Sequence, residues 1–212
     1  MVVIACFVVG YLVGSIPIGI VVSRTVRGVD IRRFGTGNFG ASNTWRNLGF
    51  PPAAVVGVGS FLQGFVPAWL AGVLTGETSC VVAAGLGAVA GYGWSFLLRL
   101  RGGSAVGTAT GALAAIWPPG LIPLLALYAL GAVLRQPAPG VLAGLLAFLV
   151  SLKLTDQPLL LLLGCSAIVV AVVLKRFDGI QDDMRGDHAR AAFLGRLLFD
   201  RRPGRQLVGP IE

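Results

Sequence analysis

VVIACFVVGYLVGSIPIGIVVS, residues 2–23, is an apolar run without a charged side chain, and it decides the fold class. At 1.5 Å per residue, an α-helix of this length reaches across the roughly 30 Å hydrocarbon core of a bilayer. No basic segment precedes the run, and it continues for a full span, unlike a secretory signal sequence. We therefore expect a retained transmembrane helix.

The chain outside this run has the same character. Of its 212 residues, 55% are hydrophobic and 12% are charged, with a mean hydropathy of +0.82, which a soluble domain of this size rarely shows. We expect an all-α integral membrane protein with about seven transmembrane helices, or five if short runs merge. The further apolar runs lie at approximately 51–75, 79–98, 105–117, 119–134, 139–153 and 158–174.

The positive charges predict an orientation, because Lys and Arg accumulate in short cytoplasmic loops. Sixteen of the 17 Lys and Arg residues follow odd-numbered spans, and only Lys153 falls on the other side. We expect the N-terminus outside and the C-terminus in the cytoplasm. The predicted organisation is one transmembrane domain, residues 1–175, with cytoplasmic site loops at 24–50 and 98–108, and a cytoplasmic tail, residues 176–212.

Composition also excludes some classes of function. The net charge of +8 does not indicate nucleic acid, because the basic residues lie between apolar runs rather than among aromatic residues on a soluble face. The cysteines lie inside apolar runs without CxxC spacing, so we predict neither a disulfide nor a metal site. In the tail, Asp178, Asp182, Asp183, Asp187 and His188 do not enforce a metal geometry, and residues 189–199 predict an amphipathic helix on the membrane surface. We expect no cofactor.

The best candidate site is DIRRFGTGNFGASNTWRNLG, residues 30–49, between the first two apolar runs. Irregular backbone is not tolerated in hydrocarbon, so this segment must face water or line a cavity. A solvated loop would explain the arginines but not GTGNFGASN. Its amides, hydroxyls and guanidinium groups are suited to an anion such as phosphate. The candidate residues are Arg32, Arg33, Gly35, Thr36, Gly37, Asn38, Gly40, Ser42, Asn43 and Arg46.

Two further elements are candidates for the same site. Pro17 loosens the first helix, so the Ser15 hydroxyl either faces a polar cavity or bonds to its own backbone. The second cytoplasmic loop, LRLRGGSAVGTATG at residues 98–111, is either a phosphate cradle at a helix N-terminus or a tight loop with anchoring arginines. Its candidate residues are Arg101, Gly102, Gly103 and Ser104.

GSIPIG followed by DIRRFGTGNFGASNTWRNLG resembles the first signature of bacterial acyl-phosphate glycerol-3-phosphate acyltransferases, over about 35 residues. The resemblance implies seven helices with the site at the cytoplasmic face, in the bacterial inner (plasma) membrane. It implies that Ser15 contacts the glycerol phosphate, that Arg32 binds its phosphate, and that the polar loop residues and Arg46 hold the acyl-phosphate headgroup.

The other signatures depart from the family pattern. Against a second signature that reads GH, two residues, P, then FKGGKGVAT, this chain has Tyr92 for the His and Ser95 for the Pro. Arg101 and Ser104 replace the two Lys residues, while Gly102 and Gly103 are retained. RFDGI, residues 176–180, replaces the third signature, HRxNI, whose His and Asn are absent.

The resemblance therefore implies an enzyme that moves an acyl group from acyl phosphate to glycerol 3-phosphate, forming lysophosphatidic acid in phospholipid synthesis. Ser15, Arg32 and Arg101 would be its catalytic residues. The alternative is a non-catalytic paralogue that binds acyl phosphate or an anionic lipid. A transporter is disfavoured because no charged residue lies near the centre of a span. The sequence leaves the oligomeric state open.

Overall fold

The structure, a computed structural model, describes residues 1–177. This range folds into α-helices joined by short connections and 3₁₀ turns. The helices are α1 (Val2–Gly14), α2 (Ile18–Arg27), α3 (Ala41–Leu48), α4 (Phe50–Thr75), α5 (Thr78–Gly93), α6 (Val106–Ile116), α7 (Leu121–Val133), α8 (Pro137–Leu154) and α9 (Leu159–Phe177). The predicted tail helix at 189–199 and the acidic residues around His188 lie outside the described residues.

Every predicted apolar run contains an α-helix, although α5 ends at Gly93, before the predicted end at residue 98. Within residues 1–177, five segments are long and apolar enough to cross a membrane, namely Val2–Arg27, Phe50–Thr75, Thr78–Leu98, Pro137–Leu154 and Leu159–Arg176. Of the two runs predicted to be short, 105–117 is the short helix α6, whereas 139–153 is α8, which is long enough to cross. The other short apolar helix is α7, in the run 119–134. The described residues are therefore all-helical with membrane-length apolar helices, as predicted, whereas seven crossings and the orientation remain predictions.

The first run is not the continuous helix that we expected. It breaks into α1 and α2 around Ser15, Ile16 and Pro17, and α2 continues to Arg27, past the predicted end at residue 23. Pro17 causes the break because it lacks an N–H and its ring clashes with the preceding turn. The chain resumes helical geometry at Ile18.

α1 and α5 pack closely along their length, because glycines replace side chains at the crossing. A Cβ at Gly10 or Gly14 would overlap the carbonyl groups of α5, and a Cβ at Gly87 or Gly91 would overlap those of α1. Small residues allow two helix backbones to approach in this way. In a membrane, helix association depends on such close van der Waals packing, because the hydrophobic effect does not favour contact between helices there. Substitution at any of these four glycines would push the two helices apart.

The same device joins α4 to α6. A Cβ at Gly64 would overlap the Thr108 carbonyl, and one at Gly111 would overlap the Phe61 carbonyl. α9 packs against α5 and α8, and its Val172 belongs to the buried core with Phe148 of α8. These contacts gather the C-terminal ends of α5 and α9 and the N-terminal ends of α6 and α8 around one site.

α3 lies inside the segment that we predicted to be a loop. Gly40 at its N-cap is extended, and Gly49 at its C-cap has φ +87°, a value that favours glycine. The buried face of α3 is largely polar and carries Asn43, Thr44 and Asn47. With eight residues and a largely polar buried face, α3 does not form an apolar run of the kind by which the other helices were predicted.

Candidate active site

The glycine-rich segment is folded around one buried amide, the side chain of Asn43, which is 2% exposed. Its Nδ2 donates to the carbonyl oxygens of Ile31, Phe34 and Asn38 at 3.3, 3.1 and 2.8 Å. Its Oδ1 accepts from the backbone N–H of Thr36 at 2.9 Å. The side chain of Asn43 on α3 therefore holds the loop in place through hydrogen bonds to the loop backbone.

Gly35 shows why this segment needs glycine. Its φ of +54° is unfavourable for residues with a Cβ, and an added Cβ would overlap the Oδ1 of Asn43. Gly37, with φ +73°, turns the chain again two residues later. These glycines shape the loop, and neither lines the cavity described below.

Asn38 connects the glycine-rich segment 30–49, the first loop, to the second loop. Its partner there, Ser104, is 66 residues further along the chain. Its Nδ2 donates to Ser104 Oγ at 2.7 Å, and its Oδ1 accepts from the backbone N–H groups of Gly40 and Ser104 at 3.3 and 3.4 Å. The two loops that the sequence singled out thus meet through this side chain.

Gly102 and Gly103 let the second loop pass over the C-terminal end of α5. A Cβ at Gly102 would overlap the backbone of Tyr92 and Gly93, and one at Gly103 would come within 2.7 Å of the Tyr92 ring. The N–H of Gly103 donates to the Tyr92 carbonyl at 3.1 Å. In this structure the glycine pair packs against α5 and does not line the cavity.

A cavity of about 290 Å³ opens where these loops meet the helix ends. One wall is polar and comes from the two loops, whereas the other wall is mostly apolar and comes from α4, α6 and α8. The lining residues are Thr36, Asn38, Gly40, Ala41, Ser42, Asn43, Arg46, Gly57, Ser60, Tyr92, Ser104, Val106, Gly107, Pro137, Ala138, Val141 and Arg176.

Two arginines from opposite ends of the described chain line this cavity. Arg46 is exposed on α3, and Arg176 is partly buried near the end of α9. Arginine keeps its charge at all relevant pH values and can bind phosphate through two parallel hydrogen bonds. The cavity can therefore accept an anionic group between the first loop and α9.

Arg32 lies outside the cavity lining and binds a neighbouring carboxylate. Its Nε donates to Asp30 Oδ1 at 3.0 Å, and a terminal nitrogen donates to Asp30 Oδ2 at 2.7 Å. The hydrogen bonds from Arg32 lower the pKa of Asp30, and the same contact raises the pKa of Arg32. Arg24 lies 3.7 Å from the same carboxylate.

Ser15 and Arg101 are also absent from the cavity lining. Ser15 is 1% exposed, and its hydroxyl donates to the carbonyl of Tyr11 at 2.7 Å. This is the second of the two arrangements that we considered for it. Arg101 is exposed in the second loop. The catalytic roles predicted for Ser15, Arg32 and Arg101 stay predictions.

Several residues that line the cavity were not predicted from the sequence as site residues. Ser60 donates to the hydroxyl of Tyr92 at 3.4 Å, and the Tyr92 ring packs on Phe39 with 4.9 Å between centroids. Arg176 was noted only in the stretch that replaces the third signature and in the positive charge of the tail. As one of the first basic residues after the last apolar run, it was a detectable candidate.

The fold and the cavity define an integral membrane protein with a polar, arginine-bearing site at the helix ends, beside an apolar wall. The family profile described as glycerol-3-phosphate acyltransferase matches residues 4–185. The chain belongs to the glycerol-3-phosphate acyltransferase family.

Curated relatives agree with this assignment. The chain is 33% identical over 190 residues to the glycerol-3-phosphate acyltransferase of Symbiobacterium thermophilum, covering 89% of this chain and 94% of the relative. It is 47% identical over 111 residues to glycerol-3-phosphate acyltransferase 2 of Moorella thermoacetica, covering 52% of this chain and 57% of the relative. The chain likewise spans little more than half the length of several other relatives. It covers 56% of the relative from Desulforamulus reducens and 59% of that from Rubrobacter xylanophilus.

Solved structures share the fold. The crystal structure of PlsY (YgiH), an integral membrane glycerol 3-phosphate acyltransferase, in its glycerol 3-phosphate form is 26% identical in sequence, with a TM-score of 0.76. The match covers 90% of this chain and 98% of that one. The lysophosphatidic acid form of PlsY matches with a TM-score of 0.75, over 86% of this chain and 91% of the other.

Proposed function

We propose that the chain transfers an acyl group from acyl phosphate to glycerol 3-phosphate and so forms lysophosphatidic acid for phospholipid synthesis. Family membership supports the reaction class. The observation that carries the proposal is the cavity itself, which joins two arginines and loop amides and hydroxyls to an apolar wall. Both substrates combine a phosphate with a reacting oxygen or carbonyl, and one of them adds a long acyl chain.

In the proposed reaction, a hydroxyl oxygen of glycerol 3-phosphate attacks the acyl carbonyl carbon. A new ester C–O bond forms while the acyl C–O bond to phosphate breaks, and inorganic phosphate leaves with the hydroxyl proton. Acyl phosphate is already activated, so alignment of the two substrates and neutralisation of their phosphates supply much of the acceleration. The donor phosphate can take the proton, so the step needs no side-chain base.

We assign the roles from position around the cavity. Arg46 and Arg176 bind phosphate oxygens, while the side chains of Thr36, Ser42 and Ser104 donate hydrogen bonds beside them. Val106, Ala138 and Val141 form the apolar wall against which the start of the acyl chain lies. Arg32 and Arg101 lie outside the lining and act on the phosphates at longer range through their positive potential, and Asp30 offsets part of that of Arg32.

The proposed membrane arrangement is seven crossings with the N-terminus outside and the site at the cytoplasmic face of a bacterial inner membrane. Sixteen of 17 Lys and Arg residues favour this orientation. Single cysteines introduced at Glu77 and Arg99 of a cysteine-free variant test it in sealed spheroplasts. An impermeant maleimide should label position 77 and spare position 99, and the reverse labelling would overturn the orientation.

Purified full-length protein in liposomes tests the reaction. With palmitoyl phosphate and radiolabelled glycerol 3-phosphate it should form labelled lysophosphatidic acid, and palmitoyl-coenzyme A should not replace the donor. Arg176→Gln should reduce kcat/KM on the order of tenfold or more, as expected for one charge-assisted hydrogen bond. Lys153→Gln is the matched control, because Lys153 is exposed in the last turn of α8, away from the cavity.

If no labelled lysophosphatidic acid forms while an active family member produces it under the same conditions, the hypothesis of an enzyme is refuted. Binding of palmitoyl phosphate without turnover would instead indicate the non-catalytic paralogue. Neither the family match nor the cavity favours that alternative.

A further inference from the structure

The break between α1 and α2 leaves several backbone carbonyls without their usual helical donors. Pro17 has no N–H to offer the carbonyl of Val13, four residues before it. The Ile16 carbonyl likewise lies between the two helices, where its hydrogen-bond geometry is irregular. In a membrane protein such oxygens must find partners within the protein, since hydrocarbon offers none.

Backbone N–H groups supply some of these partners, from Ile16 to the Val13 carbonyl at 3.3 Å and from Ile18 to the Ile16 carbonyl at 3.0 Å. The side chain of Gln63 on α4 supplies the rest. Its Nε2 lies 2.8 Å from the carbonyl oxygens of both Val13 and Ile16, and 3.5 Å from that of Gly14. Gln63 is 5% exposed, so water competes little for these bonds. The Ser15 carbonyl, the remaining one in the break, accepts from the hydroxyl of Ser95 at 2.7 Å.

The other end of this amide shows that its donor function dominates. Gln63 Oε1 is buried without a hydrogen-bond partner among the residues that the structure describes. Burying an unpaired amide oxygen is unfavourable. The Nε2 contacts to the break, and not the oxygen, therefore account for an amide at this position.

The break is mechanically connected to the cavity by two routes. α4 carries Ser60, which lines the cavity, one turn before Gln63. On the other side of the break, Gly19 of α2 packs directly beneath the carbonyl of Phe39, where a Cβ would overlap it. Phe39 in turn contacts the Tyr92 ring and sits between Asn38 and Gly40 of the cavity wall. A shift of α2 would therefore displace this wall.

We propose that Gln63 is a positioning residue for the reaction, which fixes the angle between α1 and α2 and thereby holds the first loop against the second. The proposal rests on the proposed acyltransferase function. Gln63 does not line the cavity, so its effect on the reaction is transmitted through Phe39 and the loop. Loss of its donor should weaken the binding of phosphate-bearing substrates more than it slows chemistry, because the loop shapes the cavity wall.

The first test is Gln63→Met in full-length protein reconstituted in liposomes. Methionine keeps the length and burial of the side chain but cannot donate. We expect KM for at least one phosphate substrate to rise about tenfold, with kcat within about threefold of the wild-type value. The matched control is Gln157→Met, since Gln157 donates to the Thr155 carbonyl in the α8–α9 connection. Its kinetics should not change.

The second test is Gln63→Glu, purified at pH 6, because protonation of a carboxyl restores one donor. The kcat/KM of this variant, divided by the wild-type value at the same pH, should fall as the pH rises from 6 to 9, as the donor is lost and a charge faces the carbonyls. The corresponding ratio for Gln63→Met should stay flat, which separates loss of the donor from a general packing defect.

The outcomes distinguish this inference from the proposed function. An inactive wild-type protein would refute the function. An active wild type with unchanged kinetics in Gln63→Met would overturn the role of Gln63 alone. If Gln63→Met does not fold, Gln63→Glu decides, and a pH-independent ratio in that variant would overturn the proposal.

Discussion

Asn43 is the residue whose replacement should open the first loop most directly. In Asn43→Ala, the carbonyls of Phe34 and Asn38 and the N–H of Thr36 lose partners at 3.1, 2.8 and 2.9 Å. Each such bond contributes about 1 kcal/mol net, so the loop should lose roughly 3 kcal/mol of local stability. This corresponds to an increase on the order of 100-fold in the open population.

Limited proteolysis measures that population, because cleavage follows the open fraction when opening is fast. Trypsin can cut after Arg33, which is exposed in the loop, and after Arg135 in the α7–α8 connection. In detergent, cleavage after Arg33 should accelerate on the order of 100-fold in the variant, while cleavage after Arg135 serves as the internal control. An unchanged ratio of the two rates would refute the assignment of Asn43 as the centre of the loop.

Three further outcomes are expected. Gly14→Ala should lower the Tm in detergent by roughly 2 to 10 °C, because its Cβ would overlap the α5 backbone. In the control Gly57→Ala the new Cβ lies 3.5 Å from a side chain, so the Tm should not fall. Equal Tm values in the two variants would contradict the packing argument. Arg46→Gln should raise KM for a phosphate substrate on the order of tenfold, whereas the control Lys153→Gln should keep the wild-type KM. If the two variants have the same KM, Arg46 does not bind the substrate. The ion pair of Asp30 lowers its pKa, so its stabilisation is complete above about pH 3.9 and is lost as the pH falls through the lower folded pKa. Pepsin cleavage of the loop should therefore rise below about pH 4 in the wild type. In Asp30→Asn cleavage should be faster at pH 4 and vary less with pH, and identical profiles would contradict the role of the pair.

The helices were largely predictable because hydropathy is a local property. The run expected at 51–75 is α4, Phe50–Thr75, and that expected at 105–117 is α6, Val106–Ile116. α3 was not predicted, because it has only eight residues and amides occupy much of its buried face, so it does not stand out as an apolar run.

The candidate site was predictable only in part. The resemblance and the residue types selected the two loops, and Asn38 and Ser104 do meet. The sequence could not show that Ser15 donates to its own helix or that Arg32 binds Asp30, because side-chain partners depend on geometry.

By itself, the sequence determined that this is a helical membrane protein with a polar, glycine-rich segment that must avoid lipid. Those conclusions follow from the cost of burying charges and unpaired backbone in hydrocarbon, which depends on composition over a short window. Only the tertiary structure decided which residues surround the cavity. Arg176, Ser60 and Val141 reach it because glycine-mediated helix packing brings distant segments together, and no local pattern in the chain encodes that proximity.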